Sequence, residues 1–209
     1  MIRVGILLSG CGFYDGTEVA EAVLAALALE RAGARPVHIA PEVQQLHTVN
    51  HLTGSESEGE ARGVLAESAR VARGKLKSLS ELTPAELGAL IVPGGHGAVK
   101  NLMTNFAQLG SRRELLPQVR DLLADLTGRG APIGSISLGR TVVQTYLGEP
   151  LSDEDMRLAA GEIVVDEARR LVFTPGFLTG ASLADVAVGI DKMVRAVLGM
   201  PARELHVIH

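Results

Sequence analysis

Three glycine-rich loops of this chain carry side chains that could do chemistry together. The loops span residues 9–18 (SGCGFYDGTE), 94–97 (GGHG) and 134–140 (GSISLGR). Each loop follows a short apolar segment that is typical of a buried parallel strand. Since ligands bind at the carboxyl ends of the strands in an open α/β sheet, we expect the three loops to share one edge and to form one site.

The loops contain candidates for a nucleophile and for groups that stabilise an anion. Ser137 stands at a predicted strand-to-helix turn that resembles a nucleophile elbow, and the N–H groups of loop 94–97 could form an oxyanion hole. Cys11 lies in a tight turn before a helix, where the helix dipole favours a thiolate. Arg140 could attract a carboxylate or a phosphate at the start of the following helix.

Each of these residues also has an interpretation without chemistry. Ser137 could cap the following helix, Cys11 could be a small buried hydrophobe, and His96 could be a loop residue bonded to the backbone. Arg140 could be a solvated surface side chain. The expected convergence of the three loops, rather than any single residue, favours a functional site.

Strand-type and helix-type segments alternate along the chain, which predicts an α/β fold around a mainly parallel sheet. The predicted strands are residues 2–9, 35–40, 89–92 and 131–136, with a two-stranded excursion at 162–174. The predicted helices are residues 17–33, 60–73, a segment from 98, 114–129 and 183–198. Residues 50–54 (NHLTG) are predicted to form a turn whose tip faces a neighbouring group.

The first predicted helix has clear start and stop signals. Thr17 is a favourable N-cap residue, and Gly33 is in the terminating position. Large aliphatic side chains recur at helical spacing and are expected to form the buried face: Val19, Val23, Leu24 and Leu27.

The composition limits the classes of function. The chain has 209 residues with 46% hydrophobic content, which predicts one domain over residues 1–209. The net charge of −4 provides no basic surface for nucleic acid, and no segment resembles a membrane helix. A single cysteine excludes an internal disulfide, and we expect a cytoplasmic protein without metal or cofactor. Aromatic residues make up only 3%, so we expect a small ligand rather than an aromatic cage or base-stacking platform.

Motifs along nearly the whole chain resemble the ElbB-like branch of the PfpI/ThiJ superfamily. They are residues 1–34 with SGCGFYDG, NHLTG at 50–54, ALIVPGGHGAVKNL at 89–102, EIVVDEARRLVFTPGF at 162–177 and GIDKMVRAVL at 189–198. The resemblance implies the flavodoxin-like three-layer sandwich that this superfamily shares with class I glutamine amidotransferases.

The resemblance also implies a site with a nucleophile at the elbow and a glutamate on the first helix. Ser137 stands at the position of the family's elbow cysteine, and Glu21 at the position of its glutamate, where it would take and return a proton. The N–H groups of Gly95 and Leu138 would hold an oxyanion. The other residues expected to line the substrate pocket are Cys11, Gly94, His96, Asn50, His51 and Arg140.

The chain departs from the family pattern around the elbow. Besides Ser137 in place of cysteine, residues 138–140 (LGR) replace a small residue and a proline. No histidine occurs between Leu138 and Leu205, where the superfamily often has one, and the segment from the elbow to Glu162 is short. A serine hydroxyl is not ionised near neutral pH and needs a positioned base, so we expect weaker chemistry than a cysteine would support.

Three functions remain open. The first is a weak glyoxalase III-type conversion of small α-oxoaldehydes to hydroxy acids without glutathione, an activity that the resemblance implies. The second is a non-catalytic protein that binds a metabolite or a partner. The third is a serine hydrolase or amidase, in which His96 or His206 would be the base. The resemblance also implies a homodimer, and the branch is associated with isoprenoid biosynthesis.

Overall fold

The computed structural model describes residues 1–105, 113–149 and 158–200, which fold around a seven-stranded sheet. In sheet order the strands are β10 (Val164–Asp166), β11 (Leu171–Thr174), β9 (Ile133–Ile136), β6 (Ala89–Val92), β1 (Arg3–Leu7), β2 (Arg35–Ala40) and β5 (Leu76–Ser78). All neighbouring pairs are parallel except β10 with β11. Two small antiparallel pairs lie outside this sheet: β3 (Val49–Asn50) with β4 (Ser55–Glu56), and β7 (Met103–Thr104) with β8 (Glu114–Leu115).

Helices cover both faces of the sheet. They are α1 (Val19–Arg31), α2 (Val64–Val71), α3 (His96–Asn101), α4 (Pro117–Gly128), α5 (Gly139–Leu147) and α6 (Leu183–Gly199). Successive residues of β1 alternate between two cores: Val4 and Ile6 pack with α1, α2 and α6, and Leu7 packs with α3, α4 and α5. The arrangement is the predicted three-layer α/β sandwich. Within the described residues, no helix is both long and apolar enough to cross a membrane.

Most predicted elements are confirmed, with shifts at their ends. Strands β2 and β6 have the predicted bounds, residues 162–174 form the β10–β11 hairpin, and residues 50–54 turn between β3 and β4. Helix α4 begins at Pro117 instead of 114, because Glu114–Leu115 pairs with β7 as strand β8. Residues 150–157, which belong to the short segment between the elbow and Glu162, lie outside the described residues. The proposed base His206 also lies outside them.

The start of α1 differs from the prediction. Its N-cap is Glu18, whose side chain accepts a hydrogen bond from the N–H of Ala20 (2.9 Å). The hydroxyl of Thr17 instead accepts a hydrogen bond from the N–H of Ser9 (2.7 Å). Thr17 therefore holds the first loop against the end of β1 and does not cap the helix.

The predicted buried face of α1 is also wrong. Val19, Val23 and Leu27 are exposed, and only Leu24 of the predicted set packs partly against the core. The residues that face the sheet are Glu21, Ala22, Ala25, Ala28 and Leu29. Small alanine side chains let the helix approach the sheet closely, an effect that the spacing of the larger aliphatic residues does not reveal.

Candidate active site

Ser137 forms a strained elbow between β9 and α5. Its φ is +52°, in the left-handed region that a residue with a side chain rarely adopts, and its side chain is buried. The backbone N–H of Ser137 donates to the carbonyl of Thr174 (3.0 Å). The N-cap of α5 is Leu138, so Ser137 does not serve as the helix cap. A Cβ at Gly139 would overlap the carbonyl oxygen of Val92, which explains the glycine at the first position of α5.

Glu21 lies on the inward face of α1 and is fully buried. Its Oε2 accepts a hydrogen bond from the N–H of Gly94 (2.8 Å), and its Oε1 accepts one from the N–H of Phe177 (3.2 Å). Desolvation by burial raises the pKa of Glu21 to about 8, although the two backbone hydrogen bonds favour the charged form. At neutral pH this carboxyl is therefore mostly protonated.

Gly94 brings Ser137 and Glu21 together. A Cβ at Gly94 would lie 2.8 Å from Oγ of Ser137 and 2.9 Å from Oε2 of Glu21, so both groups occupy the space beside this glycine. A Cβ at Gly176 would likewise overlap Oε1 of Glu21. Two glycines thus leave room for a carboxyl group next to the elbow hydroxyl.

Two backbone donors remain available at this site. The N–H of Gly94 is used by Glu21, and the N–H of Ser137 is used by Thr174. In contrast, the N–H groups of Gly95 and Leu138 donate to no acceptor among the described residues. An unpaired N–H next to a buried polar centre is well suited to bind a developing oxyanion.

The two residues of the NHLTG turn in the predicted pocket do not contact Ser137. Asn50 closes its own turn, since its Oδ1 accepts hydrogen bonds from the N–H groups of Leu52 (2.9 Å) and Thr53 (3.4 Å). His51 reaches the first loop, where its Nε2 accepts from the N–H of Tyr14 (3.2 Å) and its Nδ1 lies 3.0 Å from the carbonyl of Val49. Nε2 also lies 3.8 Å from Oδ1 of Asp15, so His51 supports the first loop from the NHLTG turn.

Four partly exposed rings gather beside the site, which the composition did not suggest. The ring of Phe13 lies 4.8 Å from that of His96 and 5.1 Å from that of Tyr14, and the ring of Tyr14 lies 5.2 Å from that of His51. We call these four rings the aromatic patch. The only signal in the sequence was the FY pair between two glycines of the first loop.

Cys11 does not have the properties predicted for it. Burial raises the pKa of its thiol, so the expectation of a stabilised thiolate is wrong. The charged residues that influence the thiol are Arg70, Glu67, Asp15 and Arg62, and Glu21 is not among them.

Comparison with known proteins identifies the family, although no family model matches the chain. A human protein named glutamine amidotransferase-like class 1 domain-containing protein 3, mitochondrial, is 37% identical over 226 aligned residues, covering 96% of this chain and 84% of the relative. The rat ES1 protein homolog, mitochondrial, is also 37% identical, with 96% and 85% covered. This chain belongs to the ES1 and ElbB-like family.

Solved structures share the fold of this ElbB-like chain. An isoprenoid biosynthesis protein with an amidotransferase-like domain from Ehrlichia chaffeensis has a TM-score of 0.86 at 27% identity, covering 94% of this chain and 99% of that one. Glyoxalase III from Candida albicans has a TM-score of 0.54 at 11% identity, covering 94% and 97%. The second likeness concerns the fold alone.

The expectation of a cytoplasmic location for this ElbB-like protein is contradicted. The human, rat and zebrafish relatives are all named as mitochondrial proteins. A lone cysteine and the absence of a long apolar segment are compatible with any reducing compartment, so the composition could not distinguish one from another.

Arg140 of this ElbB-like chain lies at the start of α5, where its guanidinium stacks over the ring of Phe173 at 4.4 Å. This cation–π contact packs the side chain against β11, so Arg140 is not a freely solvated surface arginine. Its role in binding an anion stays a prediction. In the described part of the chain, the hydroxyl of Ser137 has no hydrogen bond to a histidine or to any other base. The described residues therefore contain no serine–histidine pair of the kind that a serine hydrolase uses. His206 lies outside them, so its role as the base stays a prediction.

Proposed function

We propose that this protein is a weak, glutathione-independent glyoxalase that converts small α-oxoaldehydes to 2-hydroxy acids at Ser137 and Glu21. The observation that carries the proposal is a fully buried carboxyl, with a pKa raised to about 8, beside the elbow hydroxyl. Such a carboxyl is present in both protonation states near neutral pH and is able to accept and return a proton. The N–H groups of Gly95 and Leu138 supply donors for an oxyanion.

In the first step, the oxygen of Ser137 adds to the aldehyde carbon while Glu21, as a carboxylate, takes the hydroxyl proton. The former aldehyde oxygen is held by Gly95 and Leu138 and receives that proton from Glu21, which gives a hemiacetal and restores the carboxylate. Glu21 then takes the former aldehyde hydrogen as a proton and returns it to the neighbouring carbonyl carbon. The hemiacetal hydroxyl proton passes to the ketone oxygen, so that the hemiacetal becomes an ester of the hydroxy acid. Water hydrolyses this ester and regenerates Ser137, and no external oxidant is needed.

Superfamily membership supports this proposal, because glyoxalase III from Candida albicans has the same fold. The serine at the elbow predicts slow turnover. A hydroxyl is a much weaker acid than a thiol, so only the small fraction of Glu21 that is ionised at neutral pH can activate it.

The test is consumption of methylglyoxal and glyoxal, without glutathione, by the purified protein and by Ser137→Ala, Ser137→Cys and Glu21→Gln. We expect slow turnover by the unmodified protein, faster turnover by Ser137→Cys, and a loss of about 100-fold or more in Ser137→Ala and Glu21→Gln. In the unmodified protein the rate should rise with pH up to about 8, as Glu21 ionises. Genuine turnover that survives Ser137→Ala would refute the assignment of the nucleophile.

A non-catalytic metabolite-binding protein is the second candidate. It is favoured by the Ser137 hydroxyl, which has no hydrogen-bonded base among the described residues. Under this alternative the unmodified protein is inactive, while Ser137→Cys gains activity because the pocket lacks only its nucleophile. Inactivity of both would leave binding as the function of the site.

We also propose a homodimer that pairs through α1 and α6. A groove of about 840 Å³ lies between these helices, and exposed aliphatic side chains of both surround it, including Leu27 and Val188. Its rim carries charges of both signs, from Arg31, Asp191 and Lys192. An isologous contact across a two-fold axis needs such a mixed rim, because each face meets its own copy.

A further inference from the structure

The aromatic patch is an exposed, largely unpartnered ring surface at the carboxyl edge of the sheet. Phe13 and Tyr14 are 40% and 37% exposed, and the rings of His51 and His96 support them from the side. Contiguous exposed apolar surface, rather than a single exposed side chain, is the feature that marks a binding site, and here the exposed rings of Phe13 and Tyr14 are adjacent.

Hydrogen bonds hold the patch in place. The carbonyl of Phe13 accepts from the N–H of His96 (2.8 Å), and the carbonyl of Tyr14 accepts from Nζ of Lys100 (2.9 Å). The N–H of Tyr14 donates to Nε2 of His51 (3.2 Å). Because the loop is ordered before a ligand arrives, little entropy is lost when a ring stacks on it.

The patch is continuous with the proposed active site. Gly94 lies beside Ser137 and Glu21, Gly95 provides an oxyanion donor, and His96 follows directly with its ring against Phe13. A Cβ at Gly95 would overlap the backbone of residues 16–18, at the end of the loop that carries the patch. The loop that carries the proposed oxyanion donor therefore packs directly against the loop that carries Phe13 and Tyr14.

The adjacent rings of Phe13 and His96 form a neutral part of the patch. Burial, and the nearby Lys100 charge, lower the pKa of His96, which keeps its imidazole neutral at pH 7. Two charged groups lie at the edge of the patch: Nζ of Lys100 donates to the carbonyl of Tyr14 (2.9 Å), and Oδ1 of Asp15 lies 3.8 Å from Nε2 of His51. The face formed by Phe13 and His96 is suited to stacking on a planar neutral ring.

We propose that the aromatic patch is a subsite for a planar aromatic substituent, so that the preferred substrates are aryl-substituted α-oxoaldehydes rather than methylglyoxal. This proposal rests on the proposed glyoxalase function, which defines the reacting aldehyde, and it adds the class of substituent that the substrate carries. Phe13 and Tyr14 would contact the aryl ring, while the aldehyde carbon lies at Ser137.

The first test compares kcat/KM for phenylglyoxal and for methylglyoxal in the unmodified protein, Phe13→Ala, Tyr14→Ala and the ring-retaining Phe13→Tyr. We expect the ratio of the two values to favour phenylglyoxal and to fall about fivefold with each alanine, because each removes one stacking ring. Phe13→Tyr should retain the ratio. Val165→Ala, an exposed aliphatic side chain on β10, is the matched control for loss of surface hydrophobic area and should also retain it.

The second test measures binding without turnover, so that the two proposals fail separately. Titration calorimetry compares 2-hydroxyacetophenone with hydroxyacetone, which share a hydroxymethyl ketone and differ in phenyl against methyl. A phenyl preference that Phe13→Ala removes supports the subsite, even when no oxoaldehyde is turned over and the glyoxalase proposal fails. Equal affinity for the two ketones, or a preference that survives both alanine variants, refutes the subsite even when turnover is established. Circular dichroism of each variant verifies that the fold is retained.

Discussion

The inward face of α1 contains one buried carboxyl among apolar residues, whereas its outward face exposes three aliphatic side chains. The outward face exposes Val19, Val23 and Leu27 by 37%, 50% and 39%, while the inward face buries the carboxyl of Glu21 completely. Burying an ionisable group and exposing aliphatic ones are both costly for a monomer on its own. The inward face is thus explained by the site, and the outward face by the proposed dimer.

The comparison indicates what each face was selected for. The inward face has small residues, such as Ala22 and Ala25, and its carboxyl group, Glu21, occupies the space beside Gly94 and Gly176. The outward face has no such constraint on size, and it borders the groove between α1 and α6. Changes on the inward side should therefore affect chemistry and stability, and changes on the outward side should affect assembly.

The largest effect is expected from Gly94→Ala. The new Cβ would lie 2.8 Å from Oγ of Ser137 and 2.9 Å from Oε2 of Glu21, so one of them must move. We expect turnover to fall about 100-fold and the free energy of unfolding to fall by about 1–3 kcal/mol, measured by steady-state kinetics and urea unfolding.

Gly128→Ala is the matched control for this change. A Cβ at Gly128 meets nothing within 4 Å at the end of α4, so activity should be unchanged and stability equal or slightly higher. If Gly94→Ala left turnover and stability unchanged, as expected for Gly128→Ala, the placement of Ser137 and Glu21 beside Gly94 would not matter for function.

A smaller effect is expected from the titration of Glu21. Its pKa is about 8 in the folded protein against 4.5 as the ordinary value, so the folded state retains a proton that the unfolded state has lost. Stability therefore falls as pH rises through this window, by about 2 kcal/mol between pH 6.5 and 8. Burial lowers the pKa values of His38 and His96. These two histidines make the stability rise with pH, opposite to the effect of Glu21, but only below about pH 6.5.

Urea unfolding of the unmodified protein and of Glu21→Gln at pH 6.5, 7.25 and 8 measures this effect. The glutamine variant has no proton to lose and should show a flat profile over the same range. If the free energy of unfolding changed with pH equally in the two proteins, Glu21 would be ionised at neutral pH. That result would contradict the proposed proton transfer by Glu21.

The smallest effect on the fold is expected from Val23→Asp on the outward face. Because Val23 is exposed, we expect the circular dichroism spectrum to be unchanged and the stability of the monomer to change by about 0.5 kcal/mol or less. Sedimentation velocity should show a shift from dimer to monomer. Val165→Asp on β10 is the control, and a dimer that persists in Val23→Asp would exclude this face as the interface.

The sequence was informative where local patterns and topology act together. Alternating strand and helix segments predicted the parallel sheet, and the bounds of β2 and β6 were correct because short apolar runs end sharply at Pro41 and Pro93. The topological rule for parallel sheets also placed Gly94 and Ser137 at one edge, and the structure brings them into contact.

The side chains that the sequence misplaced depend on contacts far apart in the chain. Helical spacing alone does not predict which face of α1 packs on the sheet, because alanines recur along one face and larger aliphatic residues along another. Phe13 and His96 lie far apart in sequence, and composition alone argued against an aromatic platform. Cys11 appeared reactive from its loop, but burial by surrounding elements raises its pKa.

The sequence by itself determined the α/β fold, the three loops and the residue types available for chemistry, because hydrophobic periodicity and glycine placement act over short stretches of chain. Only the tertiary structure decided that Glu21 is buried and mostly protonated at neutral pH, and that four rings form the aromatic patch. It also decided that the N–H groups of Gly95 and Leu138 find no acceptor within the described residues. Those properties depend on desolvation and on close packing between distant segments, which no local pattern encodes.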